Sequence, residues 1–291
     1  MKTVLAIIFS YLFKVKFFKK RFFGIHNRLF KPFNLFKGVT RLTKWNGLIL
    51  LLHIDDWIQE NLYFLGEYEK AELTSIAVFL KHDSIFIDIG ANIGLYTLYA
   101  SKIIKENGQI ISFEPFLENF KSLAKNVELN GVSNVRLEKM AIGKKEGVIK
   151  LYYDEKEKNL GMVSSIYQGK GAREEVKLIS LDSYLKNEQF TKIDLIKIDI
   201  EGFEHSALLG MRNTLTKFHP TLLIEILNTY KSVTNKSECD QLLTVLGYKK
   251  YFIDDYGILS KNEVNVNRMN YIYSTKTIAN MMKKHKNILL H

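Results

Sequence analysis

The stretch FIDIGANIGLYT, Phe86 to Thr97, joins an apolar run rich in β-branched residues to the first turn of a helix through two glycines. Ser84 to Asp88 reads as a strand and Ile93 to Glu106 as a helix. Working outward, Gln109 to Phe113 is a second strand. Pro115 then sets the start of a helix that stops at Asn130-Gly131, and Val135 to Met140 is a third strand. Strand and helix alternate in this way when a parallel sheet carries helices on both faces.

After Gly143 the rhythm changes. Val148 to Tyr153 and Glu175 to Ile179 are strands around a polar segment, NLGMVSSIYQGKG, expected to be a mobile loop or lid. Alternation resumes with a strand over Ile193 to Asp199, a helix over Phe203 to Thr216, a strand over Thr221 to Ile226 and a helix over Cys239 to Leu246. Tyr248 to Ile253 and Met269 to Ser274 follow without a long crossover helix, so they are expected to close the sheet as an antiparallel pair. The fold class is α/β, doubly wound and mostly parallel. One domain over 46–291 carries an amino-terminal extension over 1–45.

In such sheets ligands bind beyond the carboxyl ends of the strands. A dinucleotide requires G-x-G-x-x-G, yet Asn92 stands at the second glycine position and Leu95 at the third. No Lys-Ser/Thr pair follows, which excludes a P-loop. Asp88 at the strand end would repel a pyrophosphate, but it suits a ligand bearing an ammonium and a sulfonium, as S-adenosylmethionine does. The ligand's carboxylate can use the free amides at the helix start near Gly94. Glu114, one strand later, is then placed to accept hydrogen bonds from two ribose hydroxyls.

FIDIGANIGLYT, FEPFLENF, the AIG of Ala141 to Gly143, DLIKIDIEGFEHSALLG and the EYE of Glu67 to Glu69 together resemble the motifs of the FkbM-type S-adenosylmethionine-dependent methyltransferases. The resemblance covers about Tyr68 to Ile226. It implies the seven-stranded class I methyltransferase fold and cofactor contact through Asp88, Gly90, Asn92, Gly94 and Glu114. It further implies an adenine pocket near Ala141 and O-methylation of a hydroxyl on a sugar or other metabolite.

The fourth strand runs into KIDIEGFEH, at the end where a methyl group would be presented. Methyl transfer to an alcohol needs alignment of oxygen, carbon and sulfur, and a group that takes the hydroxyl proton. Asp199 is the expected acceptor-positioning group. Glu201 or His205, four apart and expected on one helix face, is the expected base. Asp199, Glu201 and Glu225 could also ligate a divalent metal, although carboxylates alone do not specify one and no metal is assigned. Ser164 and Ser165 either bind acceptor hydroxyls or simply keep their loop polar. The chain's three prolines, Pro32, Pro115 and Pro220, exclude the Asp/Asn-Pro-Pro-Tyr/Phe signature of base-amino methylation. Cys239 lies far from the fourth strand, which excludes attack on C5 of cytosine. A ribose-directed RNA enzyme and a non-catalytic S-adenosylmethionine-binding protein stay open as alternatives.

The net charge of +11 arises from 42 basic and 31 acidic residues and is concentrated at the amino terminus. Eleven Lys and Arg precede the first acid, Asp55, so the remainder is balanced. Val4 to Phe13 is too short an apolar run to cross a bilayer, and no small-x-small cleavage site follows it. Basic residues interleaved with phenylalanine suit a helix lying in an anionic membrane interface, a basic helix capping the core, or contact with nucleic acid, the last being least favoured. A single cysteine, Cys239, fits a reducing compartment, and the chain is expected to be cytoplasmic and held peripherally at the inner membrane face by its basic tail.

Overall fold

The computed structural model describes residues 1–153, 172–226, 233–257, 259–261 and 269–277. They fall into two compact units, Met1–Glu69 and Lys70 onward.

The first unit begins with helices α1 (Lys2–Leu12), α2 (Lys16–Lys19) and α3 (Phe22–Ile25) and a π-helical turn, His26–Phe30. A hairpin of β1 (Thr40–Trp45) and β2 (Leu48–His53) follows, then α4 (Trp57–Leu65). Its interior joins a cluster of rings to aliphatic residues of the hairpin and α4: Phe13, Phe22, Phe30 and Phe36 are buried with Leu50, Leu52 and Leu62, and Phe30 packs 4.7 Å from Phe36 and 5.5 Å from Phe64 between ring centroids. Asp56 caps α4 by accepting from the Gln59 amide, and Gly66 ends it in the left-handed conformation. The boundary expected after residue 45 therefore fails. Trp45 is the last residue of β1, and Asn46-Gly47 is the hairpin turn that pairs it with Leu48. Nor is the extension one interfacial helix, because it breaks into several short helices and four of its phenylalanines, Phe13, Phe22, Phe30 and Phe36, are buried.

The second unit opens with α5 (Lys70–Ala77), β3 (Ile85–Ile89), α6 (Leu95–Ile103), β4 (Gln109–Phe113), α7 (Leu117–Leu129) and β5 (Val135–Glu138). Next come β6 (Ala141–Ile142), β7 (Gly147–Tyr153), β8 (Ala172–Ile179), α8 (Leu181–Tyr184), β9 (Leu195–Ile198), α9 (Glu204–Leu209), α10 (Arg212–Phe218) and β10 (Thr221–Glu225). The chain finishes with α11 (Val233–Val245), β11 (Lys249–Ile253), β12 (Leu259–Ser260) and β13 (Asn270–Ser274). The large sheet has the order β12-β11-β13-β10-β9-β3-β4-β5. From β5 to β10 all pairings are parallel, and β13 enters antiparallel between β10 and β11. The central strands IFIDI, QIISF, LIKI and TLLIE are buried on both faces, as helix-covered parallel strands must be. This is the class I methyltransferase fold, with β12 as an added edge strand.

Two details depart from the sequence reading. The helix expected over 203–216 is two helices, broken at Gly210, where the backbone meets Gly143 so closely that a Cβ would lie 1.9 Å from its carbonyl oxygen. The strands β6, β7 and β8 form a separate three-stranded sheet. The segment 159–171, with Ser164 and Ser165, lies outside the described residues.

Candidate active site

β3 leads into a loop whose backbone is left-handed at Gly90, Asn92 and Gly94, with φ of 78°, 50° and 91°. Gly90 and Ala91 both donate their amides to the Phe113 carbonyl, at 2.9 and 3.0 Å, and so fold the loop over the end of β4. A Cβ on Gly90 would sit 1.8 Å from the Asp199 carbonyl oxygen. The glycine is thus required twice, by its dihedral and by backbone contact with the end of β9. At Gly94 the left-handed dihedral is what favours glycine, since a Cβ would meet only the movable end of the Leu123 side chain of α7, at 2.6 Å.

Glu114 follows β4 and is buried. One oxygen accepts from the Asn92 amide at 2.8 Å and the other from the Phe116 amide at 2.9 Å. Burial pushes its carboxyl up to about 7 against the pull of those two hydrogen bonds. Glu114 therefore fixes the loop's shape and keeps lone pairs for a ligand's hydroxyls.

Asp88, expected to contact the cofactor, is fully buried. The sheet register explains its position: Asp88 lies opposite Ser112 of β4 on one side and Lys197 of β9 on the other. Its Oδ2 accepts from Thr97 Oγ1 at 2.7 Å, and that hydroxyl also meets Ser112 Oγ at 2.7 Å. Lys197 Nζ lies 3.8 Å from Asp88 Oδ1, 3.1 Å from Asp199 Oδ2 and 3.2 Å from the Gly90 carbonyl, and it stands 4.8 Å over the Tyr96 ring. Burial raises the Asp88 pKa above the ordinary carboxylate range, and Lys197 opposes the rise. A buried polar row thus ties α6, β3, β4 and β9 together beneath the loop. The sequence reading passed over Lys197, although a lysine within the apolar run LIKI is itself a signal, since lysine is seldom buried without a partner.

Past β9, Glu201 and Gly202 are left-handed, with φ of 52° and 96°. Burial pushes the Glu201 carboxyl up to about 8; Asp199 and Glu204 add to the rise, and Lys197 works against it. Helix α9 starts at Glu204, so Glu201 and His205 do not share a helix face as expected. His205 instead turns to α11, where its Nδ1 lies 3.0 Å from Glu238 Oε2 and its amide donates to Asn235 Oδ1. Glu204, not singled out from the sequence, accepts from the Gly202 amide and from Asn235 Nδ2, clasping the turn to α11. Ala141 pairs with Leu178 in the small sheet rather than lying at the end of a large-sheet strand. Among the described residues no group of His, Cys, Asp and Glu is arranged to hold a metal ion.

The profile of the FkbM methyltransferase domain matches residues 88–250, more than half of the chain. The chain belongs to the FkbM methyltransferase family. Methyltransferase 1 of Beauveria bassiana is 25% identical over 147 residues, 44% of this chain and 59% of that protein. Methyltransferase sdnD of Sordaria araneosa is 26% identical over 161 residues, 45% of this chain and 62% of that protein. The chain thus spans about three fifths of these relatives. Among solved structures, methyltransferase FkbM of Methylobacillus flagellatus is 15% identical with a TM-score of 0.45, covering 67% of this chain and 44% of that one. M. jannaschii TYW2, solved with AdoMet, is 10% identical with a TM-score of 0.42, covering 80% and 84%.

An FkbM methyltransferase uses S-adenosylmethionine by family implication, and the donor set here fits that ligand. Four acidic side chains, those of Asp88, Glu114, Asp199 and Glu201, and one ammonium, Lys197, which lies within 4 Å of Asp88 and Asp199, are grouped around a glycine loop with no side-chain cation of its own. This favours a cationic, hydroxyl-bearing ligand over a polyphosphate.

Proposed function

We propose that this FkbM methyltransferase is an S-adenosylmethionine-dependent O-methyltransferase whose acceptor is a hydroxyl of a sugar, glycolipid precursor or related metabolite on the cytoplasmic side of a membrane. The observation that carries the reading is Glu201, a carboxyl with its pKa near 8 held in a strained turn next to the strand end that abuts the glycine loop. A group poised near working pH is what removal of an alcohol proton calls for.

The Gly90, Asn92 and Gly94 loop and Glu114 would hold the cofactor, the carboxylate of Glu114 accepting from the ribose diol. When bound, S-adenosylmethionine supplies a methyl carbon already activated by its sulfonium. Lys197 keeps Asp199 oriented at the end of β9, and Asp199 aligns the acceptor hydroxyl. Ionised Glu201 takes the hydroxyl proton on its carboxylate oxygen. His205, paired with Glu238, has no direct part.

The test is incubation with methyl-labelled S-adenosylmethionine and fractionated lipid-linked sugars, followed by mass spectrometry of the labelled product and titration of cofactor binding by calorimetry. Wild-type turnover should rise with pH to a plateau above about 8, where Glu201 is ionised. Glu201→Gln should bind cofactor within about twofold and lose roughly 10²- to 10⁴-fold in turnover. Turnover of Glu201→Gln within twofold of wild type would remove Glu201 as the base. Cofactor binding without product from any fraction would favour a non-catalytic binding protein.

A further inference from the structure

The amino-terminal unit has used its phenylalanines for a core, yet a second set of apolar side chains is left outside. Helix α1 buries Ala6 on its inner side, and Phe13 just beyond it is buried as well. On its outer side Val4, Ile8 and Tyr11 follow at helical spacing, and the chain goes on to expose Val15 and Phe17; these five are 52% to 63% exposed. Single exposed apolar residues are ordinary, but a stripe along one helix that runs on into the next segment marks an interaction surface.

Cations are interleaved with that stripe. Lys14 Nζ stands 4.5 Å over the Tyr11 ring, and the Arg21 guanidinium 3.6 Å over the Phe17 ring, with Lys16 and Lys20 between them. The unit carries eleven Lys and Arg against five acids. Three of those acids are engaged elsewhere: Asp56 caps α4, Asp55 accepts from the Gly38 amide and Glu60 is buried 2.8 Å from His26; Glu67 pairs with Lys19, which leaves Lys14, Lys16, Lys20 and Arg21 for the surface.

We propose that the outer face of residues 4–21 docks on an anionic lipid surface. The aliphatic and aromatic stripe enters the boundary between headgroups and acyl chains, and the lysines and Arg21 meet the lipid phosphates. Nucleic acid fits this face less well, because Val4, Ile8 and Val15 have nothing to gain against a phosphate backbone. The attachment is interfacial: no helix among the described residues is long and apolar enough to cross a membrane, and α1 has 11 residues. The proposal is independent of the methyl-transfer reading, whose residues belong to the second unit.

The experiment is co-sedimentation of the full chain with vesicles of phosphatidylcholine alone or mixed with phosphatidylglycerol, beside a single-stranded RNA oligonucleotide. Wild type should bind the mixed vesicles and not the neutral ones. Lys16→Glu/Lys20→Glu should lose at least about tenfold in partitioning, each cation near an anionic surface being worth about fivefold. Ile8→Ser/Phe17→Ser should also lose binding, and should do so in high salt as well as low. All four positions are at the surface, and unchanged melting curves verify that both variants fold. Equal binding to neutral vesicles overturns the proposal. So does RNA binding stronger than vesicle binding that the Ile8→Ser/Phe17→Ser variant retains.

Discussion

At the carboxyl ends of β3, β4 and β9, charged groups lie inside: Asp88, Lys197, Glu114 and Glu204 are all buried. In the amino-terminal unit phenylalanines and aliphatic residues such as Leu50, Leu52 and Leu62 share the interior, and a further apolar set, Val4, Ile8 and Val15 among them, stands in water beside lysines. The two regions break the ordinary burial pattern in opposite directions. A buried charge is tolerated when its partners are fixed, and here those partners shape a polar cleft. An exposed apolar stripe has no such internal partner and is explained by contact with another surface. Different substitutions should therefore expose the two regions.

The largest effect is expected at Lys197. Lys197→Ala removes the one ammonium within reach of both Asp88 and Asp199 and leaves a fully buried carboxylate without it. The expected loss of stability is about 3–5 kcal/mol, measured by urea denaturation near neutral pH. Cofactor binding should fall with it, because Lys197 also holds the Gly90 carbonyl. A variant that unfolds within about 1 kcal/mol of wild type would mean that the buried row does not organise the cleft.

Glu201 gives a smaller effect with a definite sign. Its carboxyl is raised from an ordinary 4.5 to about 8, so between those values the folded chain keeps a proton that the unfolded chain has released. This contribution to stability is complete below pH 4.5 and is lost as the pH rises through 8. Glu201→Gln cannot ionise and escapes the loss. It should match wild type near pH 4 and exceed it at pH 9 by about 1–2 kcal/mol, allowing for solvent at this partly exposed site. A difference that does not vary with pH between thermal melts would show that Glu201 is not held in an environment hostile to its charge.

Much of the large sheet was legible in the sequence, because central parallel strands are short apolar runs separated by glycine turns and amphipathic helices. The positions of Gly90 and Glu114 followed from the same pattern. The partnership of Asp88 with Lys197 did not. It depends on the register between β3 and β9, more than a hundred residues apart, and no local period encodes which strand lies beside which. The Glu201 turn was hidden for a related reason. A Glu-Gly pair before an apolar run resembles a helix start, and the left-handed step is visible only once Glu204 is seen tying Gly202 to α11. The core of the amino-terminal unit was not legible, because phenylalanine between lysines has no unique period. Its hairpin went unread as well, although Asn46-Gly47 between the runs RLTKW and LILLLH is a two-residue hairpin signal.

That turn supplies the smallest and most local test of the separation between the two regions. Asn46 and Gly47 have φ of 48° and 80°, as the tight turn of a two-residue hairpin loop requires. A Cβ on Gly47 would meet nothing within 4 Å, so the cost of Gly47→Ala is that of the left-handed backbone alone, about 1 kcal/mol. Gly47→Asn should cost less than half of that, because asparagine tolerates this conformation. In Gly47→Ala amide hydrogen exchange would quicken by roughly fivefold in β1 and β2, the rate change that corresponds to about 1 kcal/mol. Exchange in β3 and β4 should stay as it was, since the amino-terminal unit closes its core around its own aromatic rings. Protection lost equally in all four strands would mean that the two units open as one, and that the aromatic core has no stability of its own to lend to a docking surface.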